Sequence, residues 1–288
     1  MKTLVTGADG QVGRMLRETC PATVELIACE HADLDIADVD RAREHVRRAR
    51  PEVIINAAAY TAVDKAESEP ETARAINAAG PGHLAAAARD CGARLIHLSS
   101  DFVFDGRSSS PYQPDSPTSP VNVYGTTKRD GERAVLEALP EAAVIVRTAW
   151  VYAAVGANFV RTMLRVLRER GAVRVVADQV GTPTAARPLA ETLWQIATRG
   201  EIRGIHHWTD AGVASWYDFA VAIAEEGSAA GLLPSTVTVT PIATEDYPTP
   251  ARRPAYSVLD KRSLIEWGCT PAHWRQRLRE VLREMAHA

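Results

Sequence analysis

A tyrosine and a lysine four residues apart form the most chemically distinctive motif of this 288-residue chain. If the segment is helical, Tyr124 and Lys128 share one face, because side chains at positions i and i+4 are neighbours. A phenol has a pKa of about 10, and a nearby ammonium group favours the ionised form and lowers that value. Such a pair can give a proton to a carbonyl oxygen as hydride reaches the carbon. The alternative is an exposed tyrosine beside a solvated lysine.

A second hydroxyl for the same chemistry follows a predicted strand. The run from Arg94 to Leu98 is apolar, and Ser100 and Asp101 come just after it, at the end where open α/β sheets bind ligands. Ser100 can polarise the oxygen that Tyr124 protonates, or it can simply cap a helix. We therefore predict that Ser100, Tyr124 and Lys128 are the catalytic residues.

A glycine-rich turn near the N-terminus predicts a dinucleotide cofactor. Gly7, Gly10 and Gly13 have the spacing G-x-x-G-x-x-G between a short strand and a helix. Gly7 would allow the tight turn, Gly10 would let the pyrophosphate approach the backbone, and Gly13 would let the helix pack on the strand. The pyrophosphate would then lie on the free N–H groups of the helix. The alternative is a turn that binds nothing.

The end of the second predicted strand bears on the choice between NADH and NADPH. Glu30 follows the run from Val24 to Cys29, and a carboxylate there can accept hydrogen bonds from the adenosine 2′-OH and would repel a 2′-phosphate. His31 is the only nearby cation in the sequence. We therefore expect NADH or NADPH as cofactor, with a preference for NADH. A solvated glutamate is the alternative interpretation.

The elements that must position these residues alternate along the first half of the chain. Fully apolar strands separated by helices predict an α/β protein with a Rossmann-type, doubly wound parallel sheet. We expect residues 1–150 to form the NAD(P)-binding domain and residues 151–288 mainly a smaller, interleaved C-terminal substrate lobe, with segments 171–185 and 203–208 rejoining the sheet. The predicted strands are Leu4-Val5, Val24 to Cys29, Val53 to Ile55, Arg94 to Leu98 and Val144 to Arg147, and the predicted helices are Asp40 to Arg50, Glu71 to Cys91, Tyr124 to Leu139 and Asn158 to Arg170.

Composition argues against several other classes of protein. Hydrophobic residues make up 46% and charged residues 24% of the chain, as in ordinary globular proteins. The net charge of -3 provides no basic excess for nucleic acid or an anionic membrane surface. No run of about 18 apolar residues is present to span a membrane. The four dispersed cysteines indicate reduced thiols and a cytoplasmic protein without a zinc site.

Six blocks of sequence together resemble the extended short-chain dehydrogenase/reductase family and, within it, the dTDP-4-dehydrorhamnose reductases. The resemblance implies reduction of the C4 keto group of dTDP-4-dehydro-6-deoxy-L-mannose to dTDP-L-rhamnose, with Tyr124 as proton donor. The blocks are NAAAYTAVDKAESEP (Asn56 to Pro70), LSSDFVFDG (Leu98 to Gly106), SPVNVYGTTKRDGE (Ser119 to Glu132), RTAWVY (Arg147 to Tyr152), DQVGTPT (Asp178 to Thr184) and YPTPARRP (Tyr247 to Pro254).

The same resemblance implies further site residues by position. Besides the glycines, Glu30, Tyr124 and Lys128, the cofactor contacts would come from Gln11, Val12, Asp35, Ile36, Ala59, Tyr60 and Thr61. Ser100, Asp101 and Trp150 would touch the sugar, and an aromatic face suits the C–H surface of a sugar. Arg253 would clamp the diphosphate, because a guanidinium matches phosphate oxygens. The alternatives are a core tryptophan and a solvated loop arginine.

The chain departs from the family at a few positions. Ser100 stands where threonine is common and Phe102 where tyrosine is common. Some members dimerise around a magnesium ion held by glutamates, and Met15 and Arg187 stand at two of those positions here. We therefore expect no metal, and either a monomer or a homodimer.

Three other functions compete with this interpretation. A 4,6-dehydratase usually has Asp-Glu after the Ser or Thr, whereas Phe102 follows Asp101 here, which argues against elimination chemistry. A 4-keto reductase for another nucleotide-activated deoxysugar is harder to separate, since sugar specificity depends on loop details. A non-catalytic regulatory subunit of the same fold does not require the three catalytic residues, all of which are present.

Overall fold

The computed structural model describes residues 1–287. Helices and strands alternate through the first half, and short strands join the helices of the second half. The elements are β1 (Lys2–Thr6), α1 (Gln11–Glu18), β2 (Glu25–Cys29), α2 (Val39–Ala49), β3 (Val53–Asn56), α3 (Val63–Ala66), α4 (Pro70–Arg74), α5 (Gly80–Cys91), β4 (Arg94–Ser100), α6 (Val123–Ala138), β5 (Ala143–Thr148), β6 (Val151–Tyr152), α7 (Phe159–Arg170), β7 (Ala172–Val176), β8 (Val180–Gly181), β9 (Thr184–Ala185), α8 (Ala186–Thr198), β10 (Gly204–His207), β11 (Ala214–Ser215), α9 (Trp216–Ala229), β12 (Thr238–Ile242), α10 (Arg262–Ile265) and α11 (Trp274–His287).

Six strands form one parallel sheet in the order β10-β5-β4-β3-β1-β2. The chain steps from β1 to β2 on one side and then to β3, β4 and β5 on the other. The direction of winding therefore reverses between β1 and β3. Doubly wound sheets bind ligands outside the carboxyl ends of the strands at such a point. This sheet confirms the predicted α/β fold class.

Helices cover both faces of this sheet, which explains why its strands are apolar throughout. Helices α2, α5 and α6 pack on one face, and α1 and α8 pack on the other. Successive strand residues point to opposite faces, so Leu4 and Ile54 lie in the first core and Val5 and Ile55 lie in the second. Packing on both faces therefore holds the ends of the strands in place.

The predicted helix from Glu71 to Cys91 is divided into α4, a π-helical turn from Ala75 to Ala79, and α5. Pro81 explains the division, because it has no N–H to donate to the carbonyl of residue 77 and its ring crowds that carbonyl. The wider π-helical turn brings Asn77 close to α6. A Cβ atom added at Gly131 of α6 would lie 2.1 Å from the Asn77 carbonyl oxygen. Such π-turns are frequent at functional sites.

The second half of the chain contributes to both units of the molecule. Helix α8 completes a face of the large sheet, and β10, within segment 203–208, pairs with β5. Helices α7, α9 and α11 surround a separate core that includes Leu164, Phe219 and Leu278. The two units are therefore interleaved along the chain. No helix within residues 1–287 is long and apolar enough to cross a membrane.

The expectation that segment 171–185 rejoins the large sheet is wrong. Strand β7 pairs with β12, β8 with β11 and β9 with β6, each in a two-stranded sheet. Only Val175 of β7 is buried, whereas a central strand of a covered parallel sheet is buried on both faces. The edge beside β5 is also already occupied by β10.

Candidate active site

The predicted catalytic residues meet at the carboxyl end of β4. Ser100 is the last residue of β4, and α6 carries Tyr124 and Lys128. Helix α6 begins after Asn122 because the Asn122 side chain accepts a hydrogen bond from the Gly125 N–H at 2.7 Å. The Ser100 hydroxyl lies close enough to the Tyr124 phenol to lower the pKa of that phenol. The two hydroxyls are thus close enough to act on one carbonyl oxygen.

A glycine allows α6 to approach the turn after Ser100. A Cβ atom at Gly125 would lie 2.1 Å from the Phe102 carbonyl oxygen, so a larger residue would push the helix away. The Phe102 ring meets the Tyr124 ring edge to face, with centroids 5.5 Å apart. Sequence analysis missed the role of Gly125, although a glycine inside a helical pattern is a signal of close packing.

The protonation of the pair differs from the expectation based on the sequence. Lys128 Nζ donates to the Leu98 carbonyl at 2.7 Å, and burial lowers the pKa of Lys128 to about 8. Burial raises the pKa of Tyr124 to about 12, and contact with Ser100 offsets only part of this rise. The expectation that the pKa of Tyr124 is lowered is wrong, because burial raises it and the Lys128 ammonium group donates to the Leu98 carbonyl. Tyr124 is therefore protonated at neutral pH.

The Ser100 hydroxyl is oriented by two neighbours. It donates to the Asp101 carboxylate at 2.9 Å and accepts a hydrogen bond from the Phe102 N–H at 3.2 Å. Ser100 therefore caps the short helical turn Asp101–Val103, as the alternative interpretation held, while its oxygen stays beside Tyr124. Asp101 is 1% exposed, and burial raises the pKa of its carboxyl group to about 6.

A buried ion pair lies beneath these residues. Arg147 on β5 donates two hydrogen bonds of 2.8 and 2.7 Å to the Glu132 carboxylate, and each side chain is 3% exposed. Ser99 donates to the same carboxylate at 2.5 Å. Since Ser99 precedes Ser100 and Glu132 follows Lys128 by one helical turn, the pair joins the strand and the helix that carry the site. Sequence analysis did not identify it.

The glycine turn lies at the reversal point between β1 and β3. Gly7 has φ +67°, and a Cβ atom there would lie 2.7 Å from Ala58 Cα, just after β3. A Cβ atom at Gly13 would lie 2.1 Å from the Gly7 carbonyl oxygen, whereas one at Gly10 would meet no atom closer than 3.3 Å. No side chain caps α1, so its first N–H groups are available to a diphosphate. These residues fit a dinucleotide.

Two other predicted cofactor residues extend this turn. The Gln11 side chain accepts a hydrogen bond from Asn158 Nδ2 at 2.9 Å, which links the turn to the start of α7. Val12 is partly buried against the core beneath the sheet. The first turn of α1 is therefore fixed by both units of the molecule.

The adenosine end of the predicted cofactor site contains a cation that the sequence did not indicate. Arg17 Nη1 lies 3.4 Å from Glu30 Oε1, and both side chains are about half-exposed. The expectation that His31 is the only nearby cation is wrong, because α1 runs beside β2 and brings Arg17 to its end. Asp35 closes a local turn with a backbone N–H, and Ile36 is 2% exposed.

The segment Ala59, Tyr60 and Thr61 follows β3 and is joined to the catalytic helix. Asn77 accepts a hydrogen bond from the Tyr60 N–H at 2.8 Å and donates to the Tyr60 carbonyl at 2.9 Å. The same side chain donates to Thr127 Oγ1 at 3.2 Å. One buried amide therefore sets the position of this predicted cofactor segment relative to α6.

A cavity of about 850 Å³ lies between α7, β7, β12 and the segment from Tyr247 to Arg253. Its lining combines aromatic rings with cations, which suits a nucleoside diphosphate. The residues that give it this character are Phe159, Trp216, Tyr247, Arg165, Arg174 and Arg253.

The predicted substrate residues Trp150 and Arg253 lie at this cavity or beside it. Trp150 stacks on Trp216, with centroids 3.5 Å apart and an angle of 8° between the rings. Its φ of +48° is strained for a residue with a side chain. Arg253 lines the cavity and is paired with Asp64, at 2.8 Å between Nη2 and Oδ2, so it is not a solvated loop arginine.

The positions that some family members use for magnesium do not fit a metal ion here. Met15 is 3% exposed and packs in the core beneath the sheet. Arg187 forms an ion pair of 2.5 Å with Glu18. A thioether and a guanidinium are not magnesium ligands. Elsewhere in residues 1–287, no group of three His, Cys, Asp or Glu side chains is arranged to hold a metal.

Comparison with known proteins gives the same family over the whole chain. The sequence profile of the RmlD substrate binding domain matches residues 1–287. A dTDP-4-dehydrorhamnose reductase of Mycolicibacterium smegmatis is 45% identical, and the match covers 100% of this chain and 86% of that protein. The chain belongs to the dTDP-4-dehydrorhamnose reductase family. It is therefore an oxidoreductase, as the sequence predicted.

Solved structures of dTDP-4-dehydrorhamnose reductases have the same fold. The enzyme of Clostridium acetobutylicum is 40% identical and superposes with a TM-score of 0.93, covering 99% of both chains. The enzyme of Bacillus anthracis, solved in complex with NADP, is 34% identical and superposes with a TM-score of 0.91, covering 98% of this chain and 99% of that chain. The dTDP-4-dehydrorhamnose reductase fold thus accounts for both units of the molecule.

Proposed function

We propose that this chain reduces the C4 keto group of dTDP-4-dehydro-6-deoxy-L-mannose to a hydroxyl, giving dTDP-L-rhamnose, with Tyr124 as proton donor. The observation that carries the proposal is the placement of Tyr124 beside Ser100 at the carboxyl end of β4, where α6 packs closely on the turn after Ser100. This pair lies at the carboxyl edge of the sheet, at the end of the strand next to β3, and the reversal point lies between β3 and β1. The cation-lined cavity supports binding of a nucleoside diphosphate. A non-catalytic subunit would not require these contacts.

Each catalytic residue has a distinct role in this proposal. A bound nicotinamide supplies the hydride. Tyr124, protonated because its pKa is raised to about 12, donates its proton to the developing oxyanion. Ser100 polarises the same oxygen when its hydroxyl turns towards the substrate from the Asp101 carboxylate, to which it donates in the structure. Lys128 would hold a ribose hydroxyl of the cofactor.

The substrate is assigned from the cavity and the named relatives together. Arg253 would bind the diphosphate with guanidinium hydrogen bonds, and Trp150 would contact the sugar. The curated relatives carry the name dTDP-4-dehydrorhamnose reductase. The relatives support the substrate by sequence, and the side chains at the cavity add the chemistry that such a substrate needs.

The cofactor is assigned as NADH or NADPH, with NADH preferred. The glycine turn supports a dinucleotide, and the half-exposed Glu30 carboxylate supports a ribose with a free 2′-OH. Arg17 supports the opposite preference, since it can pair with a 2′-phosphate, and the Bacillus anthracis relative was solved with NADP. We favour NADH because Glu30 directly follows β2, where a carboxylate can accept hydrogen bonds from the adenosine 2′-OH.

The proposal is tested by oxidation of NADH and, in parallel, NADPH at 340 nm with the keto-sugar generated in situ. Rapid oxidation that depends on the sugar is expected, faster with NADH. If both cofactors bind and neither is oxidised, the sugar assignment is wrong, and other nucleotide-activated 4-keto-deoxysugars are then assayed in turn. Failure with all of them would leave the regulatory-subunit interpretation.

A further inference from the structure

We propose that Asp64 and Asn122 are positioning residues that hold the segment from Thr249 to Pro254, here called the clamp segment, so that Arg253 meets the substrate diphosphate. The inference rests on the proposed function, because it takes a nucleoside diphosphate as the ligand of Arg253. Neither residue was predicted from the sequence to belong to the site. Both lie outside the clamp segment and beside the predicted cofactor and catalytic residues.

Asp64 binds the clamp segment through both of its carboxylate oxygens. Arg253 Nη1 donates to Oδ1 at 3.1 Å and Nη2 donates to Oδ2 at 2.8 Å. The Ala251 backbone N–H also donates to Oδ1, at 3.2 Å. Asp64 lies in α3, only three residues after Thr61 of the predicted cofactor segment. The carboxylate therefore fixes both the backbone and the guanidinium of the clamp segment.

The contacts of Arg253 leave one side of the guanidinium free for a ligand. Nη1 also donates to Thr249 Oγ1 at 2.6 Å and to the Ala251 carbonyl at 3.2 Å, so its two protons are fully used. A guanidinium has five N–H donors. Among the described residues, the Nε–H and one Nη2–H of Arg253 have no acceptor, and these two can bind adjacent phosphate oxygens. Asp64 thus binds the guanidinium of Arg253 on the side away from these two free donors.

Asn122 binds the neighbouring residue of the clamp segment. Its Nδ2 donates to the Arg252 carbonyl at 2.7 Å, while its Oδ1 accepts from the Gly125 N–H at the start of α6. One side chain therefore caps the helix that carries Tyr124 and anchors the clamp segment to it. Capping the helix alone would need only the side-chain oxygen of Asn122 and not its Nδ2 donor.

A close backbone approach supports the same placement. A Cβ atom at Gly106 would lie 2.6 Å from Pro254 Cα, and Gly106 has φ +79°. Gly106 follows the turn that begins at Ser100. Three parts of the protein therefore hold the clamp segment. They are Asp64 beside the predicted cofactor segment, Asn122 at the start of α6, and Gly106 after the turn that begins at Ser100. Holding a phosphate-binding arginine before the ligand arrives reduces the ordering cost of binding.

The experiment measures binding of dTDP and of thymidine by titration calorimetry to wild-type enzyme, Asp64→Asn and Asn122→Asp. Asn122→Asp keeps the helix cap, because aspartate caps as well as asparagine, but it cannot donate to the Arg252 carbonyl. Both variants are expected to bind dTDP about tenfold more weakly and thymidine with unchanged affinity. Asp90→Asn is the matched control, because Asp90 pairs with exposed Arg43 at 3.9 Å outside the site, and no change is expected.

The outcomes separate positioning from other roles. Because Asp64 is negative, simple electrostatics predicts that Asp64→Asn tightens dTDP binding, so equal or tighter binding would overturn the inference. Equal weakening of dTDP and thymidine would also overturn it, since a general structural defect affects both ligands. If wild-type enzyme binds no dTDP, the nucleotide assignment of the proposed function fails, and the inference fails with it. Normal dTDP binding by wild type with unaffected variants would refute the positioning role alone.

Discussion

The partners of individual side chains in the site cannot be predicted from the residues next to them in the chain. Lys128 donates to the Leu98 carbonyl, and Tyr124 meets Ser100 instead of the ammonium group one turn away. Burial raises the pKa of Tyr124 and lowers that of Lys128, so both groups are shifted towards their neutral forms. A protonated phenol can donate its proton in the direction of reduction, and the lysine with its lowered pKa loses its own proton more easily than an ordinary lysine.

Replacement of Tyr124 by phenylalanine tests the proton donor. We expect kcat to fall by a factor on the order of 10² to 10⁴, because the carbonyl oxygen loses its general acid. Binding of NADH, followed by fluorescence titration, should stay within about twofold because the phenyl ring retains the packing against Phe102. Tyr217→Phe serves as control, because Tyr217 lies in α9 and is not one of the predicted catalytic residues. Near wild-type turnover of Tyr124→Phe would show that another group donates the proton.

Replacement of Glu30 by glutamine tests the cofactor preference. The change removes the charge that opposes a 2′-phosphate and frees Arg17, which lies 3.4 Å from Glu30 in the structure. We expect the ratio of kcat/KM for NADPH over NADH to rise by roughly fivefold, the scale of one exposed ion pair. The double variant Glu30→Gln with Arg17→Gln should lose this gain. A ratio that does not change in the single variant would contradict the role of Glu30.

At the scale of elements, glycines and buried charges decide how closely helices approach the sheet edge. Gly13 lets α1 pack on its own turn, and Gly125 lets α6 pack on the serine turn. The Glu132–Arg147 pair then joins α6 to β5, and Ser99 adds β4 to the same contact. Small displacements of either helix would separate groups that, in the proposed function, act on one substrate.

Two alanine substitutions in the glycine turn distinguish packing from ligand access. Gly13→Ala should lower the free energy of unfolding by about 1–3 kcal/mol, because its Cβ atom would lie 2.1 Å from the Gly7 carbonyl oxygen. Gly10→Ala should cost less, since its closest contact is 3.3 Å and its φ is negative. It should nevertheless weaken NADH binding. Urea unfolding and calorimetry measure the two effects, and a stable Gly13→Ala or a fully binding Gly10→Ala would contradict them.

Neutralising the buried ion pair tests how the catalytic helix is held. Glu132→Gln leaves the Arg147 charge buried without its counter-ion, and we expect a loss of roughly 3–5 kcal/mol in the free energy of unfolding. Glu71→Gln removes an exposed pair with Arg74 and should cost less than about 1 kcal/mol. Urea denaturation of both variants provides the comparison. Similar losses in the two proteins would mean that the buried pair has no special structural role.

For the whole molecule, a buried carboxylic acid lies where the sheet unit meets the smaller lobe. Asp210 follows β10, is fully buried, and accepts a hydrogen bond from the Ala185 N–H at 2.9 Å, where β9 meets α8. Burial raises the pKa of Asp210 from 3.8 to about 7, although Arg277 of α11 acts in the opposite direction. We therefore expect the stability of the junction between the two units to depend on pH near neutrality.

The sign of this effect follows from proton linkage. Between pH 4 and 7 the folded state keeps the Asp210 proton that the unfolded state releases, so its contribution to stability decreases as pH rises and is lost above about 7. Asp210→Asn cannot titrate and keeps an oxygen for the Ala185 N–H. We expect wild type to lose stability relative to the variant from pH 4 to 8 in urea unfolding. Parallel pH profiles would show that Asp210 does not titrate in this range.

The sequence by itself determined the class of fold and was enough to predict the catalytic side chains. Apolar strands at regular intervals and the glycine turn were sufficient for a doubly wound sheet, because both signals are local in the chain. The spacing of Tyr124 and Lys128 and the position of Ser100 after a strand were sufficient to select these residues. Helix ends were predicted to within about two residues, since caps such as Asn122 also act locally.

Only the tertiary structure decided which distant residues complete the site. Asp64 and Arg253 are separated by 189 positions in the chain, and nothing in the local pattern of either indicates the other. The same holds for Arg17 beside Glu30, and for segment 171–185, whose pairing depends on which sheet edge is free. Periodicity reports whether a residue faces a core, but pairing and pKa depend on the particular atoms brought near it by folding.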